Sequence, residues 1–558
     1  MKSYKKELYF NTPTYLQMLT VSCLIVFAYG DIPSGEVKII GPEEIVFDWT
    51  TDRCSMEDVP DLPARAFKDA DGKVQLLASH YVSRRMVGET LNSLKHECKV
   101  IMNSDYDPEP SKFNCREWIS SIYTEDGKTI YALVHNEYWG QSAYKWNAEN
   151  DFFNWLSRNL ASKQGYNNWN YLEWTGIEYK NMRFDPKNKY WKGSREFCRI
   201  GPGWAHPDVH SPVRRWVSPI TGNISITGRV YDLDPRCGDG VVVKILKGDT
   251  ELWSKTISNG DTKGFDFDLK IPVQKRDVIY FIVEKRGTLD CDNTYFNPII
   301  SAIPCCCKSG DYFKCWYNTI TFAKSTDKGL TYTHVEAPNH LVAAVPYLYK
   351  ADTGPWGIFS PSNIIYNPKD GYYVMLHLEK RFLQEQGTSV MRTKTLDDPT
   401  SWRAWNGNDF SVRFINPYTE PNADPSKHIC QPVSFYNIQI MHESLTFNTY
   451  FNKFLLVGSS AVWDPNQRNI YGFCYSLSDD LIHWSPRKLI MKAKFPWTPD
   501  LPGEILLYPS LIDPNDTSRN FEKTGQRPYL YYSRWHAYTP ENQGLDRDLV
   551  RIPIEFNK

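Results

Sequence analysis

Ser325-Thr326-Asp327-Lys328-Gly329-Leu330-Thr331-Tyr332 and Ser476-Leu477-Ser478-Asp479-Asp480-Leu481-Ile482-His483-Trp484 carry one pattern: serine, acidic residue, tight turn, aromatic. An Asp in such a turn caps backbone N–H groups with its side chain, and the aromatic that follows is expected to pack inward. Working outward, the chain reads as short strand-like runs punctuated by Asp-Gly, Asn-Gly and Pro-containing turns, with hardly any long amphipathic helical pattern. The predicted fold class is all-β.

Five units of strand, polar turn and hydrophobic strand recur. They are Phe67 to His80 around Asp71-Gly72, Ile119 to Val134 around Asp126-Gly127, and Ser362 to Leu376 around Asp370-Gly371. The fourth runs from Glu443 to Gly458, and the fifth joins Tyr508 to Asp513 with Tyr529 to Ser533. Such repetition is the signature of a repeat architecture, and the wide gap between the second and third units marks an insertion. Within the gap, residues 213–303 alternate densely, as in Asn223 to Val230, Gly240 to Leu246 and Asp277 to Val283, which predicts a β-sandwich. The stretch 141–212, with Tyr166-Asn167-Asn168-Trp169-Asn170-Tyr171 inside it, is expected to be an irregular connector.

At 558 residues the chain is long enough for two or three structural units. Its net charge of −1 and lack of a Lys/Arg run argue against nucleic-acid partners. Aromatics make up 15% of the residues, with 19 Trp and 35 Tyr, a supply suited both to buried sheets and to sugar-stacking platforms. Residues 1–30 read as a signal peptide or signal anchor: Lys2, Lys5 and Lys6 precede an apolar stretch from Leu16 to Tyr29, and no second hydrophobic segment follows. Of 13 Cys, Cys23 falls in that segment and leaves an even number, which suits disulfides in an oxidising compartment. The run Cys305-Cys306-Cys307 with nearby Cys315 lacks the spacing of a zinc site, so disulfides are expected there too. Asn223-Ile224-Ser225 and Asn515-Asp516-Thr517 are sequons of a secreted chain.

The two turn motifs and the five units resemble those of sialidase-like and arabinanase-like β-propellers. The resemblance implies a five-bladed β-propeller over residues 45–140 and 310–556, interrupted by the inserted β-sandwich. Arg215-Trp216-Val217-Ser218-Pro219 and Gly238-Asp239-Gly240-Val241 resemble jelly-roll modules of carbohydrate-active enzymes. That likeness implies sugar binding or a structural calcium, with Asp232, Asp239, Asp277 and Asp292 as oxygen donors; ordinary turn aspartates are the alternative.

The start of each inner strand carries the chemistry in such propellers. Val59-Pro60-Asp61-Leu62-Pro63 resembles the inner-strand aspartate of arabinanase, xylosidase and invertase type glycosidases, and His442-Glu443-Ser444 resembles the position of their general-acid glutamate. Glycosidic cleavage needs two carboxylates across the bond, one ionised and one protonated, so Asp61 and Glu443 are the expected pair. Where the family places a third acid, this chain has Asn363, which carries no negative charge. Glu117 and Glu137 are the candidate replacements, with an Arg-bound structural carboxylate as the other reading of each. Arg65, Arg84, Arg85, His135, Asn363, Gln384, Glu385, Arg392 and Arg534 are candidate substrate-holding residues, since Arg forks and amides suit hydroxyls and carboxylates of acidic sugars. Leu545 to Arg551 is expected to close the ring as its last strand, its alternate charges facing outward or pairing. The predicted function is a secreted glycoside hydrolase acting on a polysaccharide, without a cofactor; a glycan-binding or surface-assembly protein on the same scaffold is the alternative.

Overall fold

A computed structural model describes residues 37–103, 109–139, 145–152, 164–302, 307, 309, 311–464, 468–498, 503–537, 539 and 544–558. The expected signal segment, Cys305 and Cys306 lie outside the described residues. The fold is nearly all-β, as expected, with its strands in six sheets and its α-helices single turns such as Trp49–Asp52 and Phe435–Ile438. No helix among the described residues is long and apolar enough to cross a membrane.

Each of the five strand–turn–strand units is an antiparallel pair. Asp58–Lys68 pairs with Val74–Ser83, Glu117–Tyr123 with Ile130–Tyr138, and Ile365–Asn367 with Gly371–Glu379. Ser444–Asn448 pairs with Lys453–Asp464, and Ile505–Ile512 with Tyr529–Trp535. In the first, third, fourth and fifth units the sheet then grows outward by the next strand in the chain. Ile130–Tyr138 finds its neighbour, Tyr317–Ser325, only on the far side of the insertion. The last sheet is completed from the other end of the chain: Val37–Ile39 and Glu44–Phe47 both pair with Arg547–Phe556.

Burial separates these sheets from the insertion. Glu117–Tyr123 is buried at every position and Asp58–Lys68 at nearly every one, the pattern of a strand covered on both faces. Gly222–Asp232 instead alternates, with Ile224, Ile226 and Val230 inward, the period of a strand with one wet face. An eight-stranded and a six-stranded sheet meet there in one cluster that includes Trp169, Trp191, Trp216, Val243, Phe281 and Phe296.

The stretch 141–212 is not the irregular connector expected. Trp169–Trp174 joins the six-stranded sheet against Ser211–Val217, while Tyr190–Lys192, Arg199–Gly201 and Trp204–His206 join the other. Trp169, Tyr171 and Trp191 are buried in the common core, and their burial outweighs a local sequence poor in alternation. The Asn-rich segment is a turn into the first of these strands, with Asn167 and Asn168 at φ 46° and 66°, a left-handed conformation that Asn tolerates.

Both turn motifs cap themselves as their chemistry dictates. Thr331 N–H donates to Asp327 Oδ1 (2.9 Å) and Gly329 N–H to Ser325 Oγ (3.0 Å); Tyr332 is buried. In the second, Ile482 and His483 N–H donate to Asp480 Oδ1 (2.9 and 2.8 Å), and Trp484 is buried.

Disulfides join Cys54 to Cys98, Cys237 to Cys291 and Cys307 to Cys315, whereas Cys198, Cys430 and Cys474 are buried thiols. Burial pushes Cys430 and Cys474 up to about 12, which makes them inert apolar filling rather than nucleophiles.

Candidate functional site

Arg65 organises the centre. Its Nε donates to Ser120 O (3.0 Å), and its Nη2 to Glu443 O (2.7 Å) and Pro361 O (3.4 Å). Nη1 reaches Ser510 Oγ (3.5 Å), whose hydroxyl donates to Ala64 O (2.7 Å). One guanidinium therefore touches the opening strands of the second and fifth units, the strand Trp356–Pro361 that leads into the third, and the residue at the head of the fourth. Burial lowers its pKa and the Glu443 charge raises it. Arg65 was expected to hold substrate; its donors instead meet carbonyls, so it is an internal tie.

The strands around Arg65 carry irregularities at matching places. Register shifts fall between Pro60 and Arg65, Ile119 and Ser121, Ile358 and Pro361, and Leu507 and Ser510. Such bulges turn side chains out of the pleat and cluster beside functional sites. Asp61 lies in the first shift, and its carboxylate pairs with Arg547, which stacks 3.5 Å from the Trp535 ring centroid. Tyr508 lies in the last, at φ 59°, a conformation rarely tolerated by a bulky residue. Burial, followed by the charge of Asp61 and a hydrogen bond to it, holds the Tyr508 phenol well above its ordinary value.

Glu443 is largely buried. Its Oε1 accepts from Ser459 N–H (2.8 Å) and its Oε2 from His442 N–H (3.0 Å). A Cβ on Gly458 would overlap Oε2, so a glycine is required for the carboxylate to lie there. Burial pulls the neighbouring His442 down to about 4, against the Glu443 charge, so the imidazole is neutral at pH 7. His442 stacks near His377, with ring centroids 5.0 Å apart, and His377 lies 3.1 Å from Glu379 Oε1.

The other expected residues are engaged within the protein. Glu137 pairs with Arg116 (3.2 Å), the structural role weighed for it. Glu117 is fully buried: Thr321 Oγ1 donates to it, and His334 and His340 lie beside it. Burial raises its pKa, but the two imidazoles outweigh that and bring it to about 2. It is not a substitute for the missing family acid. Asn363 donates to Leu445 O (2.5 Å) and accepts from Leu445 N–H (2.8 Å), using the amide's two functions on the backbone of one residue. An aspartate lacks that donor, which gives Asn at this position a structural reason.

His135 accepts or donates at Ser360 Oγ (2.9 Å) and stacks on Trp118. Arg84 is paired with Asp58 (3.3 Å), and Arg85 with Glu97 (2.8 Å). Gln384 is fully buried against Cys430, and Glu385 forms an exposed pair with Lys380. Arg392 lies on the outer side of its sheet with Asp370 and Phe410, and Arg534 joins Glu43 and Asp548. Gln384 and Arg392 thus serve packing rather than the centre. Sequence reasoning missed His377, His442, Tyr508 and Arg547 as members of the site; the adjacency of His442 to Glu443 was its one visible signal.

A four-aspartate calcium shell is not assembled. Asp232 accepts from Asp234 and Gly260 N–H, Asp239 from Gly287 and Thr288 N–H, and Asp277 from Gln274 N–H, all turn contacts. Asp292 differs: it is 3% exposed and lines, with Asp232, Asn259 and Thr294, a cavity of about 10 Å³. Burial, then Asp239, Asp232 and Asp290, pushes it up to about 7.

No protein family and no curated protein matches this chain. Among solved structures, a glycosyl hydrolase from Bacteroides ovatus is similar at 15% identity over 44% of this chain and 77% of its own, with a TM-score of 0.22. A Trypanosoma rangeli sialidase in complex with 2,3-difluorosialic acid is similar at 9% identity over 94% of this chain and 59% of its own, with a TM-score of 0.29. The catalytic domain of a Coprinopsis cinerea GH62 α-L-arabinofuranosidase follows at 10% identity, 42% and 83% coverage and a TM-score of 0.19. TM-scores this low establish neither a shared fold nor a shared activity.

Proposed function

We propose that this protein is a secreted glycoside hydrolase-like protein that engages a glycan at the hub of a five-bladed ring, with Asp61 and Glu443 as its acidic pair. The observation that supports the reading is Arg65: a single side chain meets strands of the second and fifth units, the strand leading into the third and the residue heading the fourth, as expected of units gathered around one axis. In that ring the first unit, the second with Tyr317–Ser325, and the third to fifth units each form a blade. The two sheets of residues 145–302 form the inserted sandwich, and the N-terminal strands close the last blade. Bulges at the strand starts turn Asp61 and Tyr508 toward the hub.

Asp61 would act as base or nucleophile. Glu443 would act as acid, with neutral His442 beside it. Three disulfides and the exposed sequon residues Asn223 and Asn515 support an extracellular setting. A second reading, glycan binding without turnover, is favoured by one observation. Both Glu443 oxygens accept backbone N–H groups and Asp61 is matched by Arg547, so each carboxyl is met as an acceptor.

The test is turnover and binding on a panel of polysaccharides and sialylated glycans, comparing wild type with Asp61→Asn and Glu443→Gln. The hydrolase reading expects turnover that both variants lose by 10²-fold or more while folding and binding persist, the range of acid–base contributions being about 10²–10⁴. Binding without turnover in the wild type selects the second reading. Absence of both removes the hub from glycan chemistry.

A further inference from the structure

Glu117, His334 and His340 form a second cluster of functional groups, apart from Asp61 and Glu443. Glu117 comes before the insertion and the two histidines after it; Glu117 and His340 are fully buried. His334 Nε2 lies 3.3 Å from Glu117 Oε2, and His340 Nε2 lies 3.6 Å from Glu117 Oε1. One ligand-type atom from each residue lies within 4.8 Å of the others. A tetrahedral cation with bonds of about 2.0–2.1 Å has edges of about 3.3–3.4 Å, so these separations suit ligands that share one small ion.

The outer contact of His334 is that of a ligating histidine. His334 Nδ1 lies 3.0 Å from Phe322 O. A carbonyl only accepts, so Nδ1 carries the hydrogen, and in the neutral tautomer the Nε2 lone pair points at a carboxylate oxygen. Two acceptors at 3.3 Å repel unless a cation lies between them, and an imidazole turned this way by a carbonyl is the usual arrangement around a metal. Phe322 N–H also donates to His340 O (2.8 Å), so one strand residue fastens both histidines. Thr321 Oγ1 donates to Glu117 Oε1 (3.1 Å) and orients the carboxylate. His340 Nε2 lies 2.9 Å from Phe113 O, and ligation exchanges that hydrogen bond for a metal bond.

We propose that Glu117, His334 and His340 bind a divalent transition metal of the zinc class, which staples the sheet on either side of the insertion. Two imidazoles and one carboxylate suit zinc rather than calcium or magnesium, which prefer all-oxygen shells. The opposing reading puts a proton where the metal would be, as a buried imidazolium facing Glu117.

Tag-free full-length protein, stripped with a chelator and dialysed against Zn²⁺, separates the two by metal analysis, Co²⁺ absorption and thermal melting. The metal reading expects one equivalent of zinc, visible Co²⁺ bands of a nitrogen–oxygen site and a melting midpoint lowered by several degrees on stripping. His334→Gln combined with His340→Gln loses the equivalent. Thr321→Val, which leaves all three ligands in place, weakens binding about 10–100-fold. Less than a tenth of an equivalent in wild type, or zinc retained by the double variant, overturns the proposal. So does a midpoint that ignores metal and responds to pH alone.

Discussion

Arg65 is the residue on which the centre depends, because most of the acceptors that satisfy its buried charge come from other strands. Arg65→Met leaves several buried acceptors without a donor, and a loss of about 3–5 kcal/mol in denaturant unfolding is expected. Arg65→Lys recovers little, since an ammonium lacks the fork that spans several carbonyls. Asn363→Asp sets a carboxylate against Leu445 O and costs about 1–3 kcal/mol. Asp292 makes a prediction with a sign. Its folded value, about 7, lies above the ordinary unfolded value near 4. Its contribution to stability is therefore complete below about pH 4 and is lost as pH rises through about 7. Melting of the protein from pH 5 to 8 should show this decline, and Asp292→Asn should flatten it. At this scale the sequence singled out Asp61, Glu443, Arg65, Gln384 and Arg392 by type and neighbours, but not the partners that hold them. An arginine that ties strands together and one that grips a ligand look alike until their acceptors are known.

Elements were legible where a local rule governs them. The Asp327 and Asp480 turns follow from side-chain capping over a few residues, and the five strand pairs follow from polar turns between hydrophobic runs. The strands of 169–206 were not legible, because they are short and held by Trp169 and Trp191 in a shared core rather than by alternation. The bulges were equally hidden, since a register shift is a relation between two strands. Cys237–Cys291 closes a loop of 54 residues beside Asp292. Replacing both cysteines by Ser should lower stability by about 2–4 kcal/mol, read as a lower melting midpoint and earlier proteolysis of the insertion.

At the scale of the whole molecule, the first and last described strands are joined: Val37–Ile39 and Glu44–Phe47 lie on Arg547–Phe556, the strand whose Arg547 meets Asp61. Truncation after residue 546 removes a central strand of that sheet and the partner of Asp61, so it should abolish cooperative unfolding rather than trim an edge; limited proteolysis and calorimetry read this directly. The sequence by itself determined the strand-rich class, the capped turns and the five strand pairs, because each depends on residues within a few positions of one another. Only the tertiary structure decided which carboxylates are held by what, that Arg65 binds carbonyls, and that Glu117 meets two histidines from beyond the insertion. Those contacts join residues hundreds of positions apart, and they are set by sheet register and packing, which no local pattern encodes.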